Sequence, residues 1–308
     1  MNTLKSILIG TRGSKLALWQ SNIVKQAIEE KFPNISVRLE IIQTTGDKIL
    51  DVALSKIGDK NLFTKEIEQA MLENRVDIAV HSLKDLPTEL PQGLCIGAVL
   101  PRAECRDALV SNNGIQLHEL NSNHIIGTSS LRRKAQLLAY NPHLHIEDVR
   151  GNIDTRLQKL ASGQYDALIM AAAGLQRLGY EDYITEIIDP IVMLPAVSQG
   201  IIGVECRGAD VEVCEVLQAI HDDYTWNMAL AERTFLKQMN GGCQLPLGCF
   251  TQVNNSTIEI NATILSVDGT KKLQFSQSGH ITKAETLAMQ LAQTFYDAGA
   301  QDILNEIR

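Results

Sequence analysis

The sequence predicts an α/β protein built from two similar α/β domains and a small C-terminal α+β domain. Three observations carry that expectation. Apolar, strand-like runs alternate with helical stretches through the first two thirds of the chain, the pattern of mostly parallel sheets flanked by helices. A strand, a Gly-Thr pair, a serine and a basic helix start occur in that order twice, as ILIGTRGSKLALWQ (7–20) and HIIGTSSLRRKAQLLAY (124–140). From about Asp222 the style changes to a long helix, a Gly-Gly-Cys turn and a hairpin.

Each element has its local reason. SILIG (6–10) reads as a strand entering the turn GTRGS, and the helix that follows sets Leu16, Ile23 and Ala27 on one face with Trp19 and Val24 beside it. VRLEIIQTT (37–45) alternates as a strand does. TKEIEQAMLENR (64–75) has helical spacing at Ile67 and Met71, and VDIAVHS (76–82) reads as a buried strand. In the second repeat Ser129 or Ser130 can cap a helix whose apolar face is Leu131, Ala135 and Leu138. YDALIMA (165–171) is a further strand with a short helix after it around 175–178, and PAVSQGIIGVECRG (195–208) is a turn and a strand. The long helix DDYTWNMALAERTFLKQM leads to the Gly-Gly-Cys turn. STIEINATILSV and KKLQFSQS then pair through Asp268-Gly269, a favoured tight turn. Thr282 to Glu285 matches a capping box before a final amphipathic helix.

Composition narrows the function classes. The 308 residues are 44% hydrophobic, enough for real cores, and no apolar run approaches the ~18–20 residues of a membrane helix. The short apolar stretch near the start runs into a Gly-rich turn rather than a cleavage site, so a cytoplasmic protein is expected. The net charge of −8 argues against nonspecific nucleic-acid binding. Six cysteines show neither CxxC pairs nor zinc-ligand spacing, so most read as small buried hydrophobes and no metal is expected.

Against that acidic background, arginines gather in turns and at helix starts: Arg12, Arg132, Arg133, Arg150, Arg156 and Arg177. Arginine binds carboxylates bidentately, and Arg12 sits where free backbone N–H groups already favour anions. Arg132 and Arg133 lie in the first turn of their helix, where the dipole opposes them. They need a compensating anion, either a bound ligand or a carboxylate side chain. Salt-bridged or solvated arginines are the plain alternative for each one; the set together fits a pocket for a small polyanion. GTRGS lacks P-loop spacing and no dinucleotide fingerprint occurs.

Two further residues carry possible chemistry. Asp85 follows an apolar strand in HSLKDLP, at the carboxyl end where ligands bind in open α/β sheets. A carboxylate there can protonate a leaving amine and then stabilise the cation left behind, or merely close a turn by bonding its own backbone. Cys243 follows Gly241-Gly242, whose freedom lets a loop tip expose the thiol as a nucleophile; a thiol tucked under the loop is the other reading. Cys249 reads as the start of a strand.

HSLKDLP (81–87), GTSSLRRKAQL (127–137), VRGNIDTRL (149–157) and NGGCQLPLG (240–248) make the chain resemble the porphobilinogen deaminase (hydroxymethylbilane synthase) family. GTRGSKLALWQ (10–20), NLFTKEIE (61–68), MAAAGLQRLG (170–179) and PAVSQG (195–200) extend the resemblance over nearly the whole chain. It implies two periplasmic-binding-protein-like α/β domains, 1–100 plus 198–220 and 101–197, with an α+β domain at 221–308 bearing the cofactor loop. It implies a transferase that condenses four porphobilinogen units, with loss of ammonia, onto a dipyrromethane held by a thioether at Cys243. Hydrolysis then releases hydroxymethylbilane for uroporphyrinogen-III synthase.

By the same resemblance Asp85 is the central catalytic carboxylate. Lys84, Ser130, Arg132, Arg133, Arg150 and Arg156 hold cofactor acetates and propionates. Arg12, Ser14, Gln20 and Arg177 meet the incoming substrate's carboxylates, which are favoured over phosphates only on this ground. Lys60 and Phe63 lie on a loop that covers the cleft, and the enzyme is expected to be a monomer. Two positions depart from the family pattern: Asn61 stands where KGLF is usual, and Ser198 where PAVGQG is usual. A noncatalytic solute-binding protein and a thioester-forming cysteine transferase are the alternative classes.

Overall fold

The computed structural model describes residues 4–48, 62–241 and 245–306. Along the chain, β1 (Ser6–Thr11), α1 (Lys15–Lys31), β2 (Ser36–Ile41), α2 (Thr45–Lys48), α3 (Lys65–Leu72), β3 (Ile78–Ser82) and β4 (Leu94–Val99) come first. They are followed by β5 (Asp107–Ser111), β6 (Ile125–Gly127), α4 (Leu131–Tyr140), β7 (His145–Glu147), α5 (Ile153–Ala161), β8 (Ala167–Ala171), α6 (Ala172–Arg177) and β9 (Glu186–Ile187). Then come β10 (Ile202–Arg207), α7 (Val211–Ile220), α8 (Asp223–Gln238), β11 (Leu247–Asn254), β12 (Thr257–Leu265), β13 (Lys272–His280), α9 (Ala284–Asp297) and α10 (Ala300–Asn305). The chain divides into two compact units. The first holds the described residues up to 48, 62–103 and 201–226; the second holds those of 104–200 and 227–306.

The first unit is a five-stranded sheet in the order β2-β1-β3-β10-β4, and the second contains a sheet in the order β7-β6-β8-β5-β9. These are one topology used twice. In each, the second strand in the order (β1, β6) pairs in parallel with the strands on both sides, and an antiparallel strand (β10, β5) comes fourth. The similarity of the two repeats is therefore real, but the sheets are mixed rather than mostly parallel. The reversed strands are those met soon after the chain passes from one unit to the other, at 103–104 for β5 and 200–201 for β10. Direction at that passage is set by where the chain enters, which periodicity does not record.

Each five-stranded sheet is covered by apolar cores on both faces. Ile7, Ile9, Ile78, Val80, Val204, Val24 and Ile28 belong to one core of the first unit, while Ala108, Val110, Leu168, Met170 and Leu175 pack one face of the second unit's five-stranded sheet. The same unit carries a three-stranded antiparallel sheet, β11-β12-β13, covered by α9 and α10 around Phe235, Ile260 and Phe295. The fold class is thus two α/β domains and a smaller α+β part.

Local departures have identifiable causes. The strand read at 37–45 stops at Ile41, and Thr45 begins α2. The capping box at Thr282 is not formed: α9 starts at Ala284 after a 3₁₀ turn in which the His280 ring accepts from the Thr282 N–H. Asp268-Gly269 does form the hairpin turn, with Gly269 at φ 73° and Asp268 accepting from Thr270. Cys206 and Cys249 are buried and Cys95, Cys105 and Cys214 half-buried.

Candidate active site

In the first unit the candidate residues gather at the carboxyl ends of β1 and β3. Ser14 caps α1 by accepting from the Ala17 N–H (3.3 Å). Gln20, 2% exposed, donates its amide to Ser82 at the end of β3 (2.8 Å), while Ser21 donates to Thr11 (2.7 Å). These bonds fix the start of α1 against both strand ends. β3 then closes into a 3₁₀ turn, Leu83–Asp85, anchored by the Leu83 N–H on Ile201 O (2.9 Å). Asp85 is exposed there, with no ion pair or hydrogen bond to its carboxylate among the described residues. Lys84 beside it is half-buried.

Arg12 follows β1. Its guanidinium lies on Asp47, Nε to Oδ1 at 3.0 Å with Nη2 on the same oxygen, and it stacks 4.2 Å over the Phe63 ring. Burial would raise the Asp47 carboxyl, but bonds from Arg12 and Thr44 outweigh that and hold it below its ordinary range. The Phe63 ring rests on Gly46, where an added Cβ would lie 2.3 Å from a ring carbon. Gly46, Phe63 and Arg12 are therefore one stack.

In the second unit the candidates lie at the carboxyl ends of β6, β7 and β8. Ser130 caps α4, accepting from the Arg133 N–H. Arg132 and Arg133 are 4% and 7% exposed. Both reach the fully buried Asp107 at the start of β5: Arg132 Nη1 to Oδ2 at 2.7 Å, Arg133 Nη2 to Oδ1 at 2.7 Å and Nε to Oδ1 at 3.0 Å. Arg132 also donates to Leu194 O and Arg133 to Ile169 O. Burial alone would raise the Asp107 carboxyl; the two arginine charges overcome it and hold it far below the carboxylate range. Burial pulls Arg132 downward, partly offset by Asp107. The anion that α4 demands is thus a carboxylate side chain. Among the described residues it is the only one paired with either arginine, so two cations share one anion.

Arg150 and Arg156 flank Gly151, whose φ of 114° and 2.6 Å clearance from Thr155 admit no side chain. Arg156 Nε donates to Gly151 O (2.9 Å), and Lys159 donates to Arg150 O (3.2 Å). Arg177, at the end of α6, donates to Gly200 O (2.7 Å), and burial brings its pKa down to about 10. Cys243, Lys60 and the departure at Asn61 lie outside the described residues. Ser198 is fully buried with φ 61°, the left-handed region that explains a glycine in the usual PAVGQG.

Three residues at the site escaped the sequence reading. Asp47 and Asp107 pair with arginines 35 and 25 residues away, and nothing local marks such a pairing. A charged residue opening an apolar strand, as in Asp107-Ala-Leu-Val, was the available sign. Gln199 lies inside PAVSQG, and its amide donates to Cys105 O (2.7 Å) and Asp107 Oδ1 (3.0 Å).

A family model described as porphobilinogen deaminase, dipyromethane cofactor binding domain, matches residues 7–215. One described as porphobilinogen deaminase, C-terminal domain, matches 226–297. The chain belongs to the porphobilinogen deaminase family. Porphobilinogen deaminase of Desulforamulus reducens is 47% identical over 302 residues, covering 98% of this chain and 98% of that one. That of Nostoc sp. is 47% identical over 306 residues, covering 98% and 95%. Among solved structures, the periplasmic VFT2 domain of Bordetella pertussis BvgS is similar at a TM-score of 0.43 and 11% identity, covering 74% of this chain and 92% of that domain. Among the described residues no helix is long and apolar enough to cross a membrane, and no group of His, Cys, Asp and Glu could hold a metal ion.

Proposed function

We propose that this porphobilinogen deaminase family member condenses four porphobilinogen units in succession onto a dipyrromethane tethered through a thioether at Cys243, then releases hydroxymethylbilane by hydrolysis. The observation that carries the reading to particular residues is the buried pair Arg132–Arg133 sharing the single carboxylate of Asp107. Such a cluster keeps one uncompensated positive charge, which is costly unless an anion meets it. A cofactor bearing acetate and propionate groups fits that requirement, with Lys84, Ser130, Arg132, Arg133, Arg150 and Arg156 as its holders. When bound, it supplies a terminal pyrrole whose free α-carbon accepts the next unit.

The chain's own residues do the rest. Arg12, Ser14, Gln20 and Arg177 meet the incoming carboxylates. Asp47 engages Nε and Nη2 of Arg12 and so fixes the guanidinium at the end of β1. Asp85 gives its proton to the departing amine, bonds the pyrrole N–H and stabilises positive charge on the ring while ionised, and regains a proton from the one released as the new carbon–carbon bond forms. Phe63 and Lys60 cover the reacting unit. Tethering makes the acceptor intramolecular and raises its effective concentration by orders of magnitude. We further propose that the enzyme acts as a cytoplasmic monomer and that uroporphyrinogen-III synthase takes its product. The three domains proposed are 1–100 with 198–220, 101–197 and 221–308.

Intact-mass measurement tests the reading. The purified protein should be heavier than its sequence by two pyrrole units, and Cys243→Ala should lose that increment. An unmodified wild-type mass, still unmodified after incubation with porphobilinogen, would overturn it. A mass increment released by hydroxylamine would indicate a thioester instead.

A further inference from the structure

Four observations in the second unit converge on one amide. Gln199 is 1% exposed and spends one nitrogen on two acceptors, the Cys105 carbonyl at 2.7 Å and Asp107 Oδ1 at 3.0 Å. Asp107 Oδ1 is the same oxygen that receives Nε and Nη2 of Arg133, while Oδ2 receives Arg132. Cys105 and Gln199 each lie within two residues of a passage between the units, at 103–104 and 200–201. The next residue back, Ser198, is tied by its N–H to the buried Glu232 (2.6 Å), which also accepts from Thr251 of β11. The chain segments entering and leaving this unit are thereby pinned to each other and to the carboxylate on which both guanidinium groups rest.

The geometry points to Asp107 and Gln199 as positioning residues for chain elongation: Asp107 sets the spacing and direction of the Arg132 and Arg133 guanidinium groups, and Gln199 holds Asp107 in register with the two crossing segments. The inference rests on the reading of Arg132 and Arg133 as holders of the tethered chain. A lone carboxylate between two arginines is free to rotate toward either one. The Gln199 amide supplies a third donor on Oδ1, and with it the Oδ1–Arg133 and Oδ2–Arg132 pairing becomes a single defined arrangement. Gln136 braces the other side: its amide donates to Leu194 O and accepts from the Leu194 N–H, the same carbonyl that Arg132 bonds.

The test uses Gln199→Met, which removes the amide at similar volume, with Asp107→Glu and Asp107→Asn beside it. Wild type and variants are isolated as holoproteins, mixed with limiting porphobilinogen, and their enzyme-bound chain lengths read by intact mass. Only folded, primer-bearing molecules are counted. Gln199→Met should carry the primer yet turn over about tenfold more slowly per loaded molecule, with the bound chains shifted to shorter lengths, the scale of a sub-ångström misplacement. Asp107→Asn should lose most of the primer, and Asp107→Glu should restore loading but keep the shift. A purely structural role would lower the folded fraction and leave the chain-length distribution of loaded molecules as in wild type. That result in both Gln199→Met and Asp107→Glu overturns the inference, whether or not Asp107→Asn folds. A wild-type protein without primer would instead defeat the reading on which it rests.

Discussion

Replacing Ser198 by glycine should stabilise the protein, and the structure sets the size of the effect. Ser198 holds φ 61°, where a β-carbon costs about 1–2 kcal/mol. Its Oγ is buried and makes no hydrogen bond among the described residues, a penalty of roughly 1–3 kcal/mol. Glycine removes both costs and keeps the bond that matters, the residue-198 N–H to Glu232. Against this stands the greater chain entropy glycine loses on folding, about 0.5–1 kcal/mol. The balance favours Ser198→Gly by about 2 kcal/mol, or a rise in Tm of roughly 4–8 °C at 2–4 °C per kcal/mol. Ser198→Ala separates the parts, since it removes the hydroxyl and keeps the strained φ; it should recover about half. Thermal unfolding followed by circular dichroism reads both. If Ser198→Gly melts lower than wild type, the hydroxyl is bonded in solution and the reasoning fails.

Three other outcomes follow from the same geometry. Gly46→Ala places a methyl where only 2.3 Å separates it from the Phe63 ring, so the ring must leave Arg12. Loss of that cation–π contact, about 0.5–1 kcal/mol, should raise KM for porphobilinogen roughly 2–5-fold; an unchanged KM would mean the stack does not orient Arg12. Asp107 is depressed in the folded state from an ordinary value of 3.8, so its contribution is present above that pH and is lost as pH falls through the folded value. Urea midpoints should therefore drop steeply below about pH 4, and Asp107→Asn should flatten that slope. Asp85→Ala should abolish ammonia release while leaving the melting temperature nearly unchanged, because the carboxylate is exposed and bonds nothing in the described fold; near-normal release would exclude it as the central group.

The strands at 6–11, 78–82 and 167–171 were legible because apolar runs bounded by turns leave little choice, and the likeness of the two repeats held at the level of sheet order. Helix faces were legible only in part, for the same reason twice: Val24, Ile23 and Ala27 do pack on the first core and Ala135 is buried, but the polar half of each face was not seen. The buried face of α1 is Ala17, Gln20, Ser21, Val24 and Ile28, and that of α4 includes Arg132, Arg133 and Gln136. Polar side chains occupy the sheet-facing positions near both helix starts because each finds a buried partner: Ser82 and Thr11 in one unit, Asp107 and Leu194 O in the other. A rule that looks for apolar stripes rotates such helices toward Leu16 and Leu131. At the site, turns and capping serines were legible, since they depend on neighbours in sequence. Asp47, Asp107 and Gln199 are written into pairings made only after folding.

The most direct measurement of the account is the mass of the wild-type protein after brief exposure to a few equivalents of porphobilinogen, beside Asp85→Ala treated alike. The account predicts a ladder in the wild type, one, two and three pyrrole units above the primer-bearing mass, and no rungs in the variant. Product appearing while the protein stays at a single mass throughout would contradict it.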